Sequence, residues 1–296
     1  MGAKILDRHA YLIIAHKDDL CFRTLLTLLD DEHNDIYIHM DAKNIQYDAD
    51  AVEMLLHKSN VVHVKREKVL WGDASQISVE LKLLECAVKH GPYFYYHLLS
   101  GQDLPIKQQD FIHDFFAHNA GKEFVRFNKT DFTDGDRVYY SHWVWGRFGR
   151  SKSDKLIRTL DYASMLLQKK LGRTRWTNVS FQKGTNWFSI TEDLAKHILS
   201  YRKWIEEVFS DSLCGDELFV QTLVHNSDFR NRLYWTAYDN DCRAIQRLID
   251  WDRGNPYVFQ SSDFEELASS QMLFARKFDA AIDSEIILAV RDKLAS

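Results

Sequence analysis

The sequence predicts an α/β fold, a mainly parallel sheet with flanking helices in a single large domain spanning residues 1–296. Two observations carry that expectation. Short apolar runs alternate with segments of helical period from Tyr11 to Leu99, and such alternation gives parallel strands joined by right-handed crossovers. Apolar residues make up 45% of the chain, with only 12 glycines and 3 prolines, a composition that suits one continuous core and not a string of linkers.

The elements follow in order. Tyr11 to Ala15 is a short buried strand ending at His16, and a helical pattern runs from Asp19 to Leu29. Ile36 to Met40 is the second strand and ends at Asp41. A helix over Ala49 to His57 leads to a third strand, Val61 to Val64. Ile77, Leu81, Leu84 and Val88 then share one face of a helix from Ser75 to Lys89. Tyr93 to Leu99 is a continuous apolar and aromatic run, the pattern of a strand covered on both faces. It stops at Ser100-Gly101-Gln102-Asp103, and Pro105 bars its extension as a central strand. Ligands bind beyond the carboxyl ends of strands in open α/β sheets, so His16, Asp41 and Asp103 should face one crevice. An ordinary turn with Asp103 as a cap fits the spacing of that segment equally well. Further on, Asn186 to Ile190 reads as a strand, and Thr191 with Glu192 and Asp193 as a helix start. Asp216 to Val224 reads as a helix with Glu217 in its first turn, and Leu233 to Trp235 as a strand.

The formal net charge of −5 gives nucleic acid no bulk attraction. Cys21, Cys86, Cys214 and Cys242 are widely spaced, without a Cys-x-x-Cys pair, and read as reduced thiols. No apolar run approaches the ~20 residues of a transmembrane helix, and no signal peptide precedes the first strand. These features point to a cytoplasm, most simply a bacterial one. Residues 147–175 depart from the acidic balance, with nine lysines or arginines against Asp154 and Asp161. Tyr162, Met165, Leu166 and Leu171 interrupt them at roughly helical intervals. A solvated helix face accounts for this pattern. So does a surface for an anionic acceptor, or for peripheral contact with the inner face of a plasma membrane.

Seven segments add a family signal: Ala15-His16, Ile38-His-Met-Asp-Ala-Lys43, Trp71-Gly-Asp-Ala-Ser75, Leu99-Ser-Gly-Gln-Asp-Leu-Pro-Ile106, Gly184-Thr-Asn-Trp-Phe-Ser189, Gly215-Asp-Glu217 and Phe274-Ala-Arg-Lys-Phe-Asp279. Taken together and in order, they resemble glycosyltransferase family 14, the core-2/I-branching β-1,6-N-acetylglucosaminyltransferases and peptide O-xylosyltransferases. The basic middle region matches least well. The resemblance implies a GT-A-like fold, a UDP-sugar donor, a glycan or glycolipid acceptor, and inversion at the anomeric carbon. It assigns Glu217 as catalytic base and Arg247 with Lys277 as the pair that neutralises the diphosphate. Segments like Ala15-His16, Asp41 and Trp71 line the uridine pocket in the family, while Asp103 falls near the sugar or acceptor. The branching enzymes work without a metal, so no cofactor is expected. The donor-binding half then covers residues 1–130, and the acceptor-binding and catalytic half residues 131–296. Eukaryotic members carry an N-terminal anchor and disulfides, and neither pattern occurs in this chain.

The chemistry asks for the same residue types. Displacing UDP from a sugar passes through an oxocarbenium-like transition state, which needs a carboxylate to take the acceptor proton and cations for the leaving diphosphate. Arg276, beside Lys277, is a rival for the phosphate role. Asp-x-Asp occurs at Asp48, Asp134, Asp239 and Asp250, so the pattern proves little, and Asp239-Asn-Asp241 is the best-placed copy for a divalent cation. The thirteen histidines show no zinc-protease spacing. N-acetylglucosamine is the expected sugar and xylose the runner-up. A non-catalytic nucleotide-sugar or glycan-binding protein, with Trp71, Trp143, Trp145 and Trp187 as stacking platforms, is a further reading. In it Trp143 and Trp145 fit better as core residues.

Overall fold

The computed structural model describes residues 8–129, 135–143 and 152–295. Strand β1 (His9–Ala15) is buried along its length apart from Ile14, as a central strand should be. Helix α1 (Leu20–Leu29) starts where the Asp19 carboxylate accepts the Phe22 N–H at 3.1 Å. Strand β2 (Asn34–Met40) is wholly buried. Helix α2 (Ala49–Glu53) is shorter than its sequence pattern, and the reason is local. The Asp30 carboxylate takes the N–H groups of His57, Lys58 and Ser59 at 2.8, 2.9 and 2.9 Å and draws that stretch into a turn. Strand β3 (Asn60–His63) follows, and then helix α3 (Ala74–His90), capped by Asp73 on the Ser75 N–H.

Strand β4 (Tyr95–Ser100) pairs in parallel with β1, as β1 does with β2 and β2 with β3. After β5 (Asp103–Pro105) and α4 (Gln109–His118) come β6 (Phe124–Phe127), α5 (Asp136–Tyr139), α6 (Lys152–Lys170) and β7 (Gly184–Ile190). Strand β7 runs antiparallel to both β4 and β6, which completes a six-stranded sheet of order β3-β2-β1-β4-β7-β6. The mainly parallel α/β architecture expected of the chain is present. Thr191 caps α7 (Glu192–Ser200) by accepting the Leu194 N–H, and α8 (Arg202–Phe209) and α9 (Phe219–His225) follow. The last elements are β8 (Arg247–Ile249), α10 (Phe264–Ser269), β9 (Phe274–Arg276) and α11 (Glu285–Ala295). Strands β5, β9 and β8 form a second, three-stranded sheet with β5 at its edge, where the missing N–H of Pro105 costs no ladder bond.

The main sheet divides the core in two because successive strand residues face opposite sides. Ala10, Leu12, Tyr96 and Leu98 join Ile77, Leu81 and Leu84 of α3. Tyr11, Ile13, Tyr95 and Leu99 join Phe22 and Leu25 of α1 and Ile286 and Val290 of α11.

Two expected elements change. Leu233 to Trp235 is not a strand: Leu233 makes a single bridge to Glu123, directly after a 3-10 turn over Asp228–Arg232. Asp216 to Val224 is not one helix either. Gly215–Glu217 is a separate 3-10 turn, and Leu218, at φ −123° and ψ −41°, separates it from α9.

Candidate functional site

Two of the sequence-predicted residues line one cleft at the carboxyl edge of the parallel strands, and a third lies within electrostatic reach of it. His16 follows β1 and Asp41 follows β2, and both line an open cleft of about 700 Å³. Lys277 follows β9, close enough that its charge helps to lower the His16 pKa. Burial is the larger cause, and Lys17 acts in the same direction. The Lys277 ammonium makes no hydrogen bond or ion pair among the described residues, and its pKa is lowered chiefly by burial and next by Arg276. Asp41 is almost wholly buried and tied to its surroundings. Its carboxylate accepts the Lys43 N–H at 2.8 Å and the Val69 N–H at 3.4 Å, and meets Lys43 Nζ at 3.2 Å.

Through Val69 the cleft connects to the loop that carries Trp71, whose side chain is 62% exposed. The far end of that loop reaches the Glu217 turn, since Gly72 O accepts the Cys214 N–H at 2.8 Å. A β-carbon on Gly215 would stand 2.5 Å from Ser212 Oγ and 3.0 Å from Ile77 and Phe209, so glycine lets the turn sit against α3 and α8. Glu217 is one-third exposed, with its Oε2 2.8 Å from Arg137 Nη1 and 3.7 Å from Lys183 Nζ.

Asp216 points the opposite way. Burial pushes its carboxyl up to about 7, and the neighbouring Glu217 charge adds to the effect. Gln76 Nε2 donates to it at 3.2 Å. Four residues further along α3, Glu80 is buried and held well above the usual carboxylate range, first by burial and then by Asp216. Two buried acids thus lie behind the exposed one.

Asp103 and Arg247 are not among the residues that line the cleft. Asp103 is 0% exposed, accepts the Ser100 N–H and Oγ–H at 3.0 and 2.9 Å, and pairs with Arg276 Nη1 at 3.0 Å. It is the turn-forming residue that the spacing also allowed. Arg247 is likewise 0% exposed and lowered to about 10 by burial. It donates to Leu98 O and stacks on Trp187 at 5.2 Å, while its Nε and Nη1 have no partner among the described residues. In this conformation it does not reach the cleft. Arg276 lies over the same indole at 4.2 Å. Trp143, expected in the core, is nearly half exposed, and Trp145 and Asp134 lie outside the described residues.

The described Asp-x-Asp copies are engaged locally: Asp48 caps α2, Asp239 accepts from Trp235 Nε1, Asp241 binds Arg243, and Asp250 binds Arg253. Among the described residues, the group with metal-ligand spacing is Asp31, His33 and His113, at the amino edge of the sheet beside the start of β2. A second cleft, of about 630 Å³, is lined by His197, His225 and Arg230 and holds none of the predicted residues.

Lys17, Arg137, Lys183, Gln76 and Glu80 join the site without having been singled out in the sequence. Glu80 had a readable signal, because at helical spacing it falls on the apolar face of α3 with Ile77, Leu81 and Leu84. Arg137 had none, being 80 positions from Glu217.

The chain is similar to several known proteins. Xylosyltransferase 2 from Mus musculus is 22% identical over 298 residues, covering 95% of this chain and 33% of its own length. Xylosyltransferase oxt from Drosophila melanogaster is 23% identical over 293 residues, covering 92% of this chain and 31% of its own length. The chain therefore spans about a third of the curated relatives it matches. The crystal structure of mouse xyloside xylosyltransferase 1 in its apo form superposes with a TM-score of 0.38 at 12% identity, covering 90% of this chain and 96% of that one. The family model for the Core-2/I-Branching enzymes matches residues 9–271, and the chain belongs to that family of sugar-transferring enzymes.

Proposed function

We propose that the chain transfers a sugar from a UDP-sugar to a hydroxyl of a glycan or glycolipid acceptor with inversion, and does so without a metal. Glu217 takes the proton of the acceptor hydroxyl as that oxygen bonds to the anomeric carbon. The bond from this carbon to the phosphate oxygen breaks, and UDP departs with the electron pair. The observation that carries the reading is the placement of Glu217: a partly exposed carboxylate, steadied by Arg137 and Lys183, on a turn joined through Gly72 to the loop of Trp71. Lys277 and Lys17 supply positive charge at the cleft for the leaving diphosphate. Asp41 and Trp71 receive the uridine, one as a hydrogen-bond acceptor and the other as a stacking face. Asp103 holds Arg276 and the turn beneath the sugar. The four unpaired cysteines fit a reducing cytoplasm.

UDP-N-acetylglucosamine is the first donor to try. A second reading, UDP-xylose, is favoured by the names of the relatives, which are xylosyltransferases. Release of UDP from each donor, alone and with acceptor, tests the proposal, with excess EDTA in a parallel arm. Acceptor-stimulated release that survives EDTA is the expected result. Stoichiometric binding without release would favour a binding protein, and loss with EDTA that Mn²⁺ restores would favour an Asp-x-Asp site.

A further inference from the structure

Helix α6 has one face that the fold uses and two that it leaves in water. On the used face, Asp161 accepts from His142 Nδ1 at 3.1 Å and from the Trp143 N–H at 2.6 Å, Gln168 exchanges two 3.0 Å hydrogen bonds with the Ser141 backbone, and Met165 is buried. Leu156, Leu160, Leu167 and Leu171 are spaced four, seven and four residues apart, which at 3.6 residues per turn aligns them about a third of a turn from Asp161. They are 59, 49, 56 and 57% exposed. Leu171 continues the helix through its N–H to Leu167 O at 3.0 Å. The stripe is thus roughly 22 Å long at 1.5 Å per residue. On the other side of the helix, Lys155, Arg158 and Lys170 are exposed, exposed Arg173 follows, and Lys169 pairs with Asp136 at 3.4 Å.

A stripe of four leucines in water beside a row of cations has the form of a helix lying in a bilayer interface. The cations stand out against a chain of net charge −5, so an anionic partner is the complementary one. Packing the stripe against a second copy of the chain would instead bring two sets of cations together. We propose that α6 docks the protein on an anionic lipid surface, with the four leucines among the acyl chains and the lysines and arginines at the headgroups. Helix α6 packs on residues 136–143, whose Arg137 holds Glu217. Docking therefore brings the Glu217 end of the site towards the bilayer, where a lipid-borne acceptor would present its hydroxyl. This second step rests on the glycosyl-transfer reading, whereas the docking itself does not.

Flotation of the purified protein with vesicles tests the docking independently of turnover. The vesicles are phosphatidylcholine alone, or phosphatidylcholine mixed with phosphatidylglycerol, at low and at high salt. Expected is binding to the mixed vesicles at low salt only. It should fall about tenfold or more with Leu160→Gln and Leu167→Gln together, and likewise with Lys155→Glu and Lys170→Glu together. All of these side chains are exposed, and circular dichroism checks that each variant is folded. No binding to either vesicle overturns the proposal, as does equal binding to both. A dimer that the leucine variant disperses, without vesicle binding, would assign the stripe to a second copy. Donor-dependent UDP release with a water-soluble acceptor separates the two readings: intact release without vesicle binding overturns docking alone and leaves glycosyl transfer standing.

Discussion

Glu217 and Asp216 are adjacent in sequence and opposite in environment, and each predicts a different measurement. Replacing Glu217 by glutamine keeps its shape and removes the base. Turnover should fall by about 10²- to 10⁴-fold with UDP affinity unchanged, read from initial rates and from calorimetric titration with UDP. For Asp216 the folded-state pKa is raised, to about 7. The stability it contributes is then complete below its unfolded pKa and is lost as the pH rises towards 7. From about pH 5 to about pH 8 the wild type should lose about 2–3 kcal/mol more than Asp216→Asn, followed by urea unfolding at each pH. Identical losses would mean that Asp216 is not held protonated. The sequence located both residues through the Gly215-Asp-Glu217 segment, and His16 and Asp41 through the ends of apolar runs. It did not separate the buried acid from the exposed one, because adjacent residues in a 3-10 turn point apart by an amount that periodicity does not register.

Among the elements, that 3-10 turn carries the tightest steric requirement of the site. Gly215 follows Cys214, which has a left-handed φ of 51°, and its missing side chain lets the turn lie against Ser212, Ile77 and Phe209. Gly215→Ala should destabilise the fold by about 1–3 kcal/mol, as overpacking does, measured as a lower midpoint in thermal unfolding. Because the turn also holds Gly72 O, the same variant should lose turnover beyond its loss of stability. Wild-type stability in Gly215→Ala would mean that Ser212 and Phe209 give way easily. The elements visible in the sequence are those whose signal is local. Thr191 caps a helix where its residue type said it should, and the helical pattern read from Asp19 begins at Leu20 with Asp19 as its cap. Strands β5, β8 and β9, three residues each, are too short for any period, and only their mutual pairing makes them strands.

At the scale of the whole molecule, Arg247 joins the small sheet to the main one. It leaves β8, donates to Leu98 O of β4, and stacks on Trp187 of β7 and on Phe274 of β9, at 5.2 and 5.7 Å. A wholly buried guanidinium with Nε and Nη1 unpaired among the described residues is a poor source of stability, and apolar replacement of such a group is often neutral or favourable. Lys277 differs from it, because it is half-buried within electrostatic reach of His16, without an ion-pair partner among the described residues. The two residues that the family resemblance pairs as one diphosphate clamp should therefore respond differently. Lys277→Ala should weaken UDP binding by about 10- to 100-fold, the cost of losing a hydrogen bond to a charged group, and leave unfolding unchanged. Arg247→Met should keep UDP affinity within about threefold, since the free-state guanidinium contacts protein only, and leave stability equal or higher. Calorimetric titration with UDP, paired with urea unfolding of the same samples, reads both quantities. A tenfold loss of UDP affinity in Arg247→Met at unchanged stability would mean that ligand binding draws this arginine out to the phosphates, and would restore it to the clamp.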